Sequence, residues 1–245
     1  MILGLVAATP IARFNLGLRS AEFKLLSGDG SAVIGKASLA IVQQTPDQKS
    51  VRVNYQFTNG EYDIDEDAVQ LRPNSNVITL VKYKHSFFHS NGSLERVDQA
   101  DLVSGSASCV QYLDGHAKRQ KAKLSFPPDT YAGPVMIVAV RDLIQNSSQE
   151  TGAFHYFSCI PKPKVYRVVI VVQRRVHWSL YSGELDKADL QVDLGWLGFV
   201  ISRALPRTQL WFDPADHLSL VGAKAYSYYK DLEFIMVRSP AQPNR

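Results

Sequence analysis

From Ser50 to Thr58 the chain alternates strictly: Val51, Val53, Tyr55 and Phe57 share one parity, Arg52, Asn54 and Gln56 the other. A period of two puts the apolar set on one face of a strand and the polar set on the opposite face, the mark of a half-buried member of an antiparallel sheet. Asn59-Gly60 follows as a hairpin turn. The same rhythm predicts strands over 20–26, 32–44, 77–88, 93–103, 107–113 and 116–126, with Gly35 marking a bulge. Thr45-Pro46-Asp47, Asn91-Gly92 and Asp114-Gly115 supply the turns. Further strands are expected over 152–160, up to the break at Pro161-Lys162-Pro163. From Val165 to Leu180 the β-branched run is too dense for an exposed helix. Gly183 is read as opening a polar turn, and strands over 205–212, 217–228 and 232–237 complete the pattern.

One stretch departs from this rhythm. Asp129 or Thr130 can cap a helix running to about Asn146, with Val135, Ile137, Val138, Val140, Leu143 and Ile144 as a broad apolar stripe. The fold class expected is therefore mainly β (α+β): a large curved antiparallel sheet or half-barrel wrapped around one central helix. Of 245 residues, 45% are hydrophobic and 20% charged, which excludes a disordered or collagen-like chain and is ample for a core. We expect one β-rich domain over 20–238, a frayed tail over 239–245, and a signal-like or disordered segment over 1–19. In that segment an apolar run ends in Val6-Ala7-Ala8, the small-residue spacing of a signal-peptidase site, but a basic stretch before it is missing. The alternative is that Ile2 to Ala8 forms a first buried strand. No apolar run reaches the roughly 18 residues that cross a bilayer as a helix. The two cysteines, Cys109 and Cys159, would close a loop of about 50 residues if paired in an oxidising compartment. Two separate buried thiols are taken as the expectation.

Several constellations are of a type that could carry chemistry. His85 and His89 sit on one strand face about 13 Å apart at strand rise, too far to share an ion, and are read as structural or surface histidines. Asp63, Asp65, Glu66 and Asp67 fail the EF-hand spacing, since Ala68 and Asn74 stand where a Gly and a Glu are needed; a solvated turn is expected. Asp213 and Asp216 flank Pro214 and read as a turn in which carboxylates bond the local backbone. There is no nucleophile elbow, Walker loop or dinucleotide fingerprint. A hydrolase would need His, Ser or Cys and a carboxylate meeting in one cleft. The net charge of +4 does not by itself argue for nucleic acid. The cations Lys118, Arg119, Lys121 and Lys123 lack interleaved aromatics. They read as the wet face of an edge strand, where lysine discourages sheet-to-sheet pairing, with anionic headgroups as a peripheral membrane contact. The stretch Leu194-Gly195-Trp196-Leu197-Gly198-Phe199-Val200-Ile201 is apolar on both parities. It is either a buried core element or a lid whose Trp196 and Phe199 meet an apolar ligand. Trp178 and Trp211 complete the set of ligand-contact candidates. No catalytic residue, metal or cofactor is expected.

Two tracts carry a family resemblance. Phe126-Pro127-Pro128-Asp129-Thr130-Tyr131-Ala132-Gly133-Pro134, followed by Val138-Ala139-Val140-Arg141, is similar to an acidic, proline-containing loop entering a helix. Leu210-Trp211-Phe212-Asp213, then Asp216-His217-Leu218, is similar to a late tryptophan-led strand and aspartate turn. Together they resemble a family of uncharacterised bacterial periplasmic proteins thought to share the curved half-barrel of the lipoprotein carriers LolA and LolB. Where that pattern would place a proline after the turn, this chain has Leu218-Ser219-Leu220-Val221. The resemblance implies a periplasmic or secreted envelope protein with a concave apolar face for acyl chains or a lipidated partner. The function expected is non-enzymatic binding of a lipid or other apolar ligand. The alternative is an envelope assembly or structural factor acting through a sheet edge.

Overall fold

The structure, a computed structural model, describes residues 19–45, 48–71, 78–113, 115–146, 150–193, 207–227 and 230–239. Eight strands follow one another as hairpins: β1 (Ala21–Ser27), β2 (Val33–Thr45), β3 (Gln48–Phe57), β4 (Tyr62–Leu71), β5 (Ile78–Phe88), β6 (Leu94–Asp101), β7 (Ser106–Leu113) and β8 (His116–Lys123). The chain then turns inward as the two-residue β9 (Thr130–Tyr131), a 3-10 turn (Gly133–Val135) and α1 (Met136–Asn146). It returns as β10 (Thr151–Ser158), β11 (Lys164–Trp178), β12 (Tyr181–Val192), β13 (Thr208–Asp213), β14 (Ser219–Ser227) and β15 (Leu232–Arg238). These pair as one sheet of 15 strands, ordered β8-β7-β6-β5-β4-β3-β2-β1-β15-β14-β13-β12-β11-β10-β9. All pairs are antiparallel except β9 with β10. The two meanders join through β1 and β15, Leu25 facing Met236.

The sheet is not closed by a last ladder; β8 and β9 are its edges. It curls until its ends approach. A disulfide between Cys109 on β7 and Cys159, just past β10, ties strands near opposite edges with their Cα atoms 5.8 Å apart. The expectation of two separate thiols is corrected by this bond. Nothing local in the sequence announces it, because the curl of the whole sheet creates the proximity.

The inner face is the core. Phe23, Leu25, Leu39, Val51, Val53 and Leu80 bury there opposite Phe154, Val168, Ile170, Leu190, Leu210 and Phe212. Ile137, Val138, Val140 and Ile144 of α1 fill part of the hollow, as their broad stripe predicts. Arg174 on β11 donates from Nη2 to the Ile144 carbonyl at 2.7 Å, satisfying one of the acceptors that a helix end leaves open.

Three expectations are corrected. The helix begins at Met136, not near Asp129: Thr130 and Tyr131 extend to pair with His155 and Tyr156, and Gly133, at φ +46°, turns the chain before the helix. Gly183 lies inside β12 rather than opening a turn. The reversal comes earlier, at Ser179 and Leu180. The acidic stretch at 63–67 is the middle of β4, not a solvated turn, and its side chains at 63, 65 and 67 are buried.

Candidate functional site

Between the inner face of the sheet and the entry to α1 lies a cavity of about 510 Å³. Its walls are mostly apolar: Phe23, Leu39, Val53, Phe57, Ile137, Phe154, Phe157, Val168, Leu210, Leu220, Phe234 and Met236. One wall is different. Asp63, Asp65, His85 and Asp98 line it, with Tyr55 and Tyr83 beside them.

Strand geometry builds this wall. Along β4 burial alternates perfectly, with Asp63, Asp65, Asp67 and Val69 facing inward while Tyr62, Ile64, Glu66 and Ala68 face out. Here the usual polarity is inverted. In register, Asp65 stands between Val53 on β3 and His85 on β5, His85 beside Asp98 on β6, and Asp98 beside Cys109 on β7. Neighbouring strands are about 4.8 Å apart, so a lateral row carboxylate–imidazole–carboxylate leads to the disulfide. A second row sets Asp63 between Tyr55 and Phe87. The His85 ring stacks on Phe87, centroids 4.0 Å apart.

The partners are unequally shared. Lys230 donates a short hydrogen bond to Glu61 Oε2 at 2.8 Å and a longer ion pair to Asp63 at 3.4 Å. Arg96 Nε reaches Asp98 Oδ1 at 2.7 Å. Asp67 Oδ2 accepts from the Val135 amide at 2.7 Å, which anchors the first turn of the inward segment. Among the described residues, the one partner of Asp65 is His85, with Nδ1 at 3.8 Å. Oδ1 of Asp65 and Oδ1 of Asp67 are buried without a hydrogen bond, as is Nε2 of His85. Gly133 explains how the inward segment comes so close: a Cβ there would stand 2.6 Å from Asp65 Oδ1 and 3.0 Å from Asp67 Oδ2.

Burial sets the proton affinities. It pushes Asp63 up to about 7, with Lys230 only partly opposing it. Asp65 is pushed well up by burial and then by the Asp63 charge, and Asp67 by burial and then by Asp65. Burial also raises Asp98, against Arg96. The His85 ring goes the other way, down to about 3, because burial and then the charges of Lys230 and Arg96 disfavour the imidazolium. Burial alone would lower Lys230, but the Glu61 hydrogen bond and the Asp63 charge outweigh it and raise it.

The residues singled out from the sequence fall in different places. Trp178 and Trp211 stack on each other, centroids 4.2 Å apart and planes within 3°. They form a separate cluster with Leu185 and Val221 and do not line the cavity, whose wall carries Leu210 instead. The reason is parity: Leu210 and Phe212 of β13 point inward, so Trp211 points to the other face. Gly222 seats the pair, since a Cβ there would meet the Trp178 ring at 2.5 Å. Trp196 and Phe199 lie outside the described residues. Val192 and Thr208, on either side of that stretch, both line the cavity. His85 is on the cavity wall, while His89 is half-exposed and faces Glu95 at 3.9 Å. Asp213 accepts from the Ala215 amide at 2.8 Å, the local turn expected. Asp216 instead meets Arg19 and Arg238 at 3.0 and 3.3 Å. The cations of β8 are exposed along a sheet edge.

Sequence reasoning missed the acidic wall. The signal was present as Asp63-x-Asp65-x-Asp67, a period-two pattern in charge rather than in hydrophobicity. Among the described residues, the one group of three potential metal ligands whose donor atoms converge is Asp98 with Cys109 and Cys159. Both sulfurs are spent in the disulfide, so that group does not fit a metal ion.

No family model matches the chain, and no curated protein matches it. Among solved structures, the crystal structure of a beta-barrel-like protein of domain of unknown function DUF1849 from Brucella abortus is similar, with a TM-score of 0.50 at 9% sequence identity. The likeness covers 90% of this chain and 94% of that one. At such identity it speaks for the fold: this chain shares the curled, barrel-like β architecture of an uncharacterised domain.

Proposed function

We propose that this protein is a non-enzymatic component of the cell envelope that binds a lipid or other apolar ligand in the hollow of its curved sheet. The observation that carries this reading is the cavity of about 510 Å³ with largely aromatic and aliphatic walls. Protein interiors are otherwise close-packed, and ligand pockets typically enclose roughly 300–1,000 Å³. The resemblance to the LolA/LolB half-barrel supports an envelope role. The signal-like reading of residues 1–19 and the Cys109–Cys159 disulfide support an oxidising, periplasmic or secreted location. The basic edge of β8 suits peripheral contact with anionic headgroups. It suits the assembly-factor alternative less, because lysines along an edge oppose strand addition.

Native mass spectrometry before and after organic extraction tests the reading. The expected result is a mass surplus that disappears on extraction and matches a lipid. A bare polypeptide mass from gently purified material would overturn it and favour partner binding at a sheet edge.

A further inference from the structure

We propose that the ligand bound in the cavity is an apolar chain ending in a cationic head, a protonated amine, which seats against Asp65 and His85. This deepens the cavity-binding reading and rests on it.

The wall is short of donors: Oδ1 of Asp63, Asp65 and Asp67 are all buried without a hydrogen bond, and Asp65 is the one whose second oxygen is met only by a distant imidazole. Lys230 serves Glu61 and Asp63, Arg96 serves Asp98, and the Val135 amide serves Asp67. Asp65 is only 6% exposed and lines the cavity, yet its Oδ1 has no donor. His85 directs Nδ1 toward Asp65 at 3.8 Å. With the proton on that nitrogen, Nε2 is left as an acceptor, and it too is buried without a partner. Unmet acceptors in a water-poor site are costly to leave open. An ammonium group carries three donors and one positive charge, and it supplies the donor that this part of the wall lacks. The apolar remainder of the cavity then takes the tail.

Other occupants fit less well. A fatty-acid carboxylate would bring further acceptor oxygens to a wall whose cations, Lys230 and Arg96, are already engaged by Glu61, Asp63 and Asp98. A bare metal ion needs several ligand atoms within one small sphere, at roughly 2.0–2.6 Å from the ion. Among the described residues, Asp63, Asp65 and His85 do not converge in that way. An ammonium head needs only hydrogen-bond distances to two acceptors.

The test is displacement of Nile red, a neutral apolar dye, from the full chain by decylammonium, decanol and decanoate near pH 7.5. Decylammonium is expected to displace the dye at a concentration at least tenfold below that of decanoate. In Asp65→Asn its advantage should shrink about tenfold while decanol stays within twofold, a pattern that simple loss of structure would not give. If Asp65→Asn does not fold, His85→Phe is the second variant, which removes the other proposed acceptor, with the same shift in the amine-to-decanol ratio expected. Equal or better binding of decanoate overturns the head-group assignment and leaves cavity binding standing. Failure of the dye and all three amphiphiles to bind overturns both. A rise in melting temperature with calcium chloride alone, lost in Asp65→Asn, would make the wall a metal site and also overturn the proposal.

Discussion

At the scale of single residues, the inward carboxylates govern the response to acid. Burial holds Asp63 at about 7, whereas an unfolded chain releases that proton near about 4. The folded state therefore binds the proton more tightly. Its contribution to stability is complete below about pH 4 and is lost as the pH rises through about 7. Asp65, Asp67 and Asp98 are raised in the same direction. His85, held down at about 3, opposes them: its contribution is present above about 6.5 and is lost as the pH falls from there through about 3. Four raised carboxyls against one lowered imidazole predict a melting temperature that climbs as the pH is lowered from about 8 to about 5.5. Asp63→Asn should flatten part of that climb, and thermal unfolding followed by circular dichroism checks it. A melting temperature that falls over this range would mean the carboxylates are ionised and fully paired. The calcium-loop spacing does not reveal these buried acids, because it counts positions along the chain and ignores parity. Counted as a strand, Asp63, Asp65 and Asp67 share one face, and Val69 continues that face into the core.

At the scale of elements, β4 both lines the cavity and holds the inward segment. Asp67 accepts the Val135 amide, so Asp67→Ala leaves a buried donor unpaired, at a cost of about 1–3 kcal/mol. Asp67→Asn keeps an acceptor and should cost less. Hydrogen exchange across 133–140 is the direct measurement. Faster exchange in the Ala variant and near-normal exchange in the Asn variant are expected, and equal protection in both would show that packing alone fixes the segment. Most strands were readable from their alternation, β3 above all, and so was the apolar stripe of α1. Three were not, β4, β9 and β12, and the first and last share a cause. Each buries acid on its inner face, three aspartates in β4 and Asp186 in β12, the latter met by Arg174 at 3.0 Å, so the hydrophobic signal is broken even though the backbone period is kept. The start of the helix was misplaced for another reason. Thr130 looks like a cap in sequence, but the parallel pairing with His155 claims its backbone first.

At the scale of the whole molecule, the disulfide spans a loop of 50 residues. The chain-entropy model gives about 4 kcal/mol for a loop of that length. Reduction, or the double change Cys109→Ala with Cys159→Ala, should lower stability by roughly 3–4 kcal/mol. A urea titration with and without reductant measures it, and an unchanged midpoint would show that packing across the seam suffices without the bond. Hairpin order was legible because each turn is local. The join between β1 and β15 and the approach of β7 to β10 depend on accumulated twist, which no single segment encodes. In a closed barrel, strand number and stagger dictate the bore. This sheet is instead rolled like a scroll, its two ends stitched near the seam by the disulfide. No ladder fixes the stagger of its two edges, so the calibre of the interior is set by the disulfide and the side chains packed around it and not by the strand count.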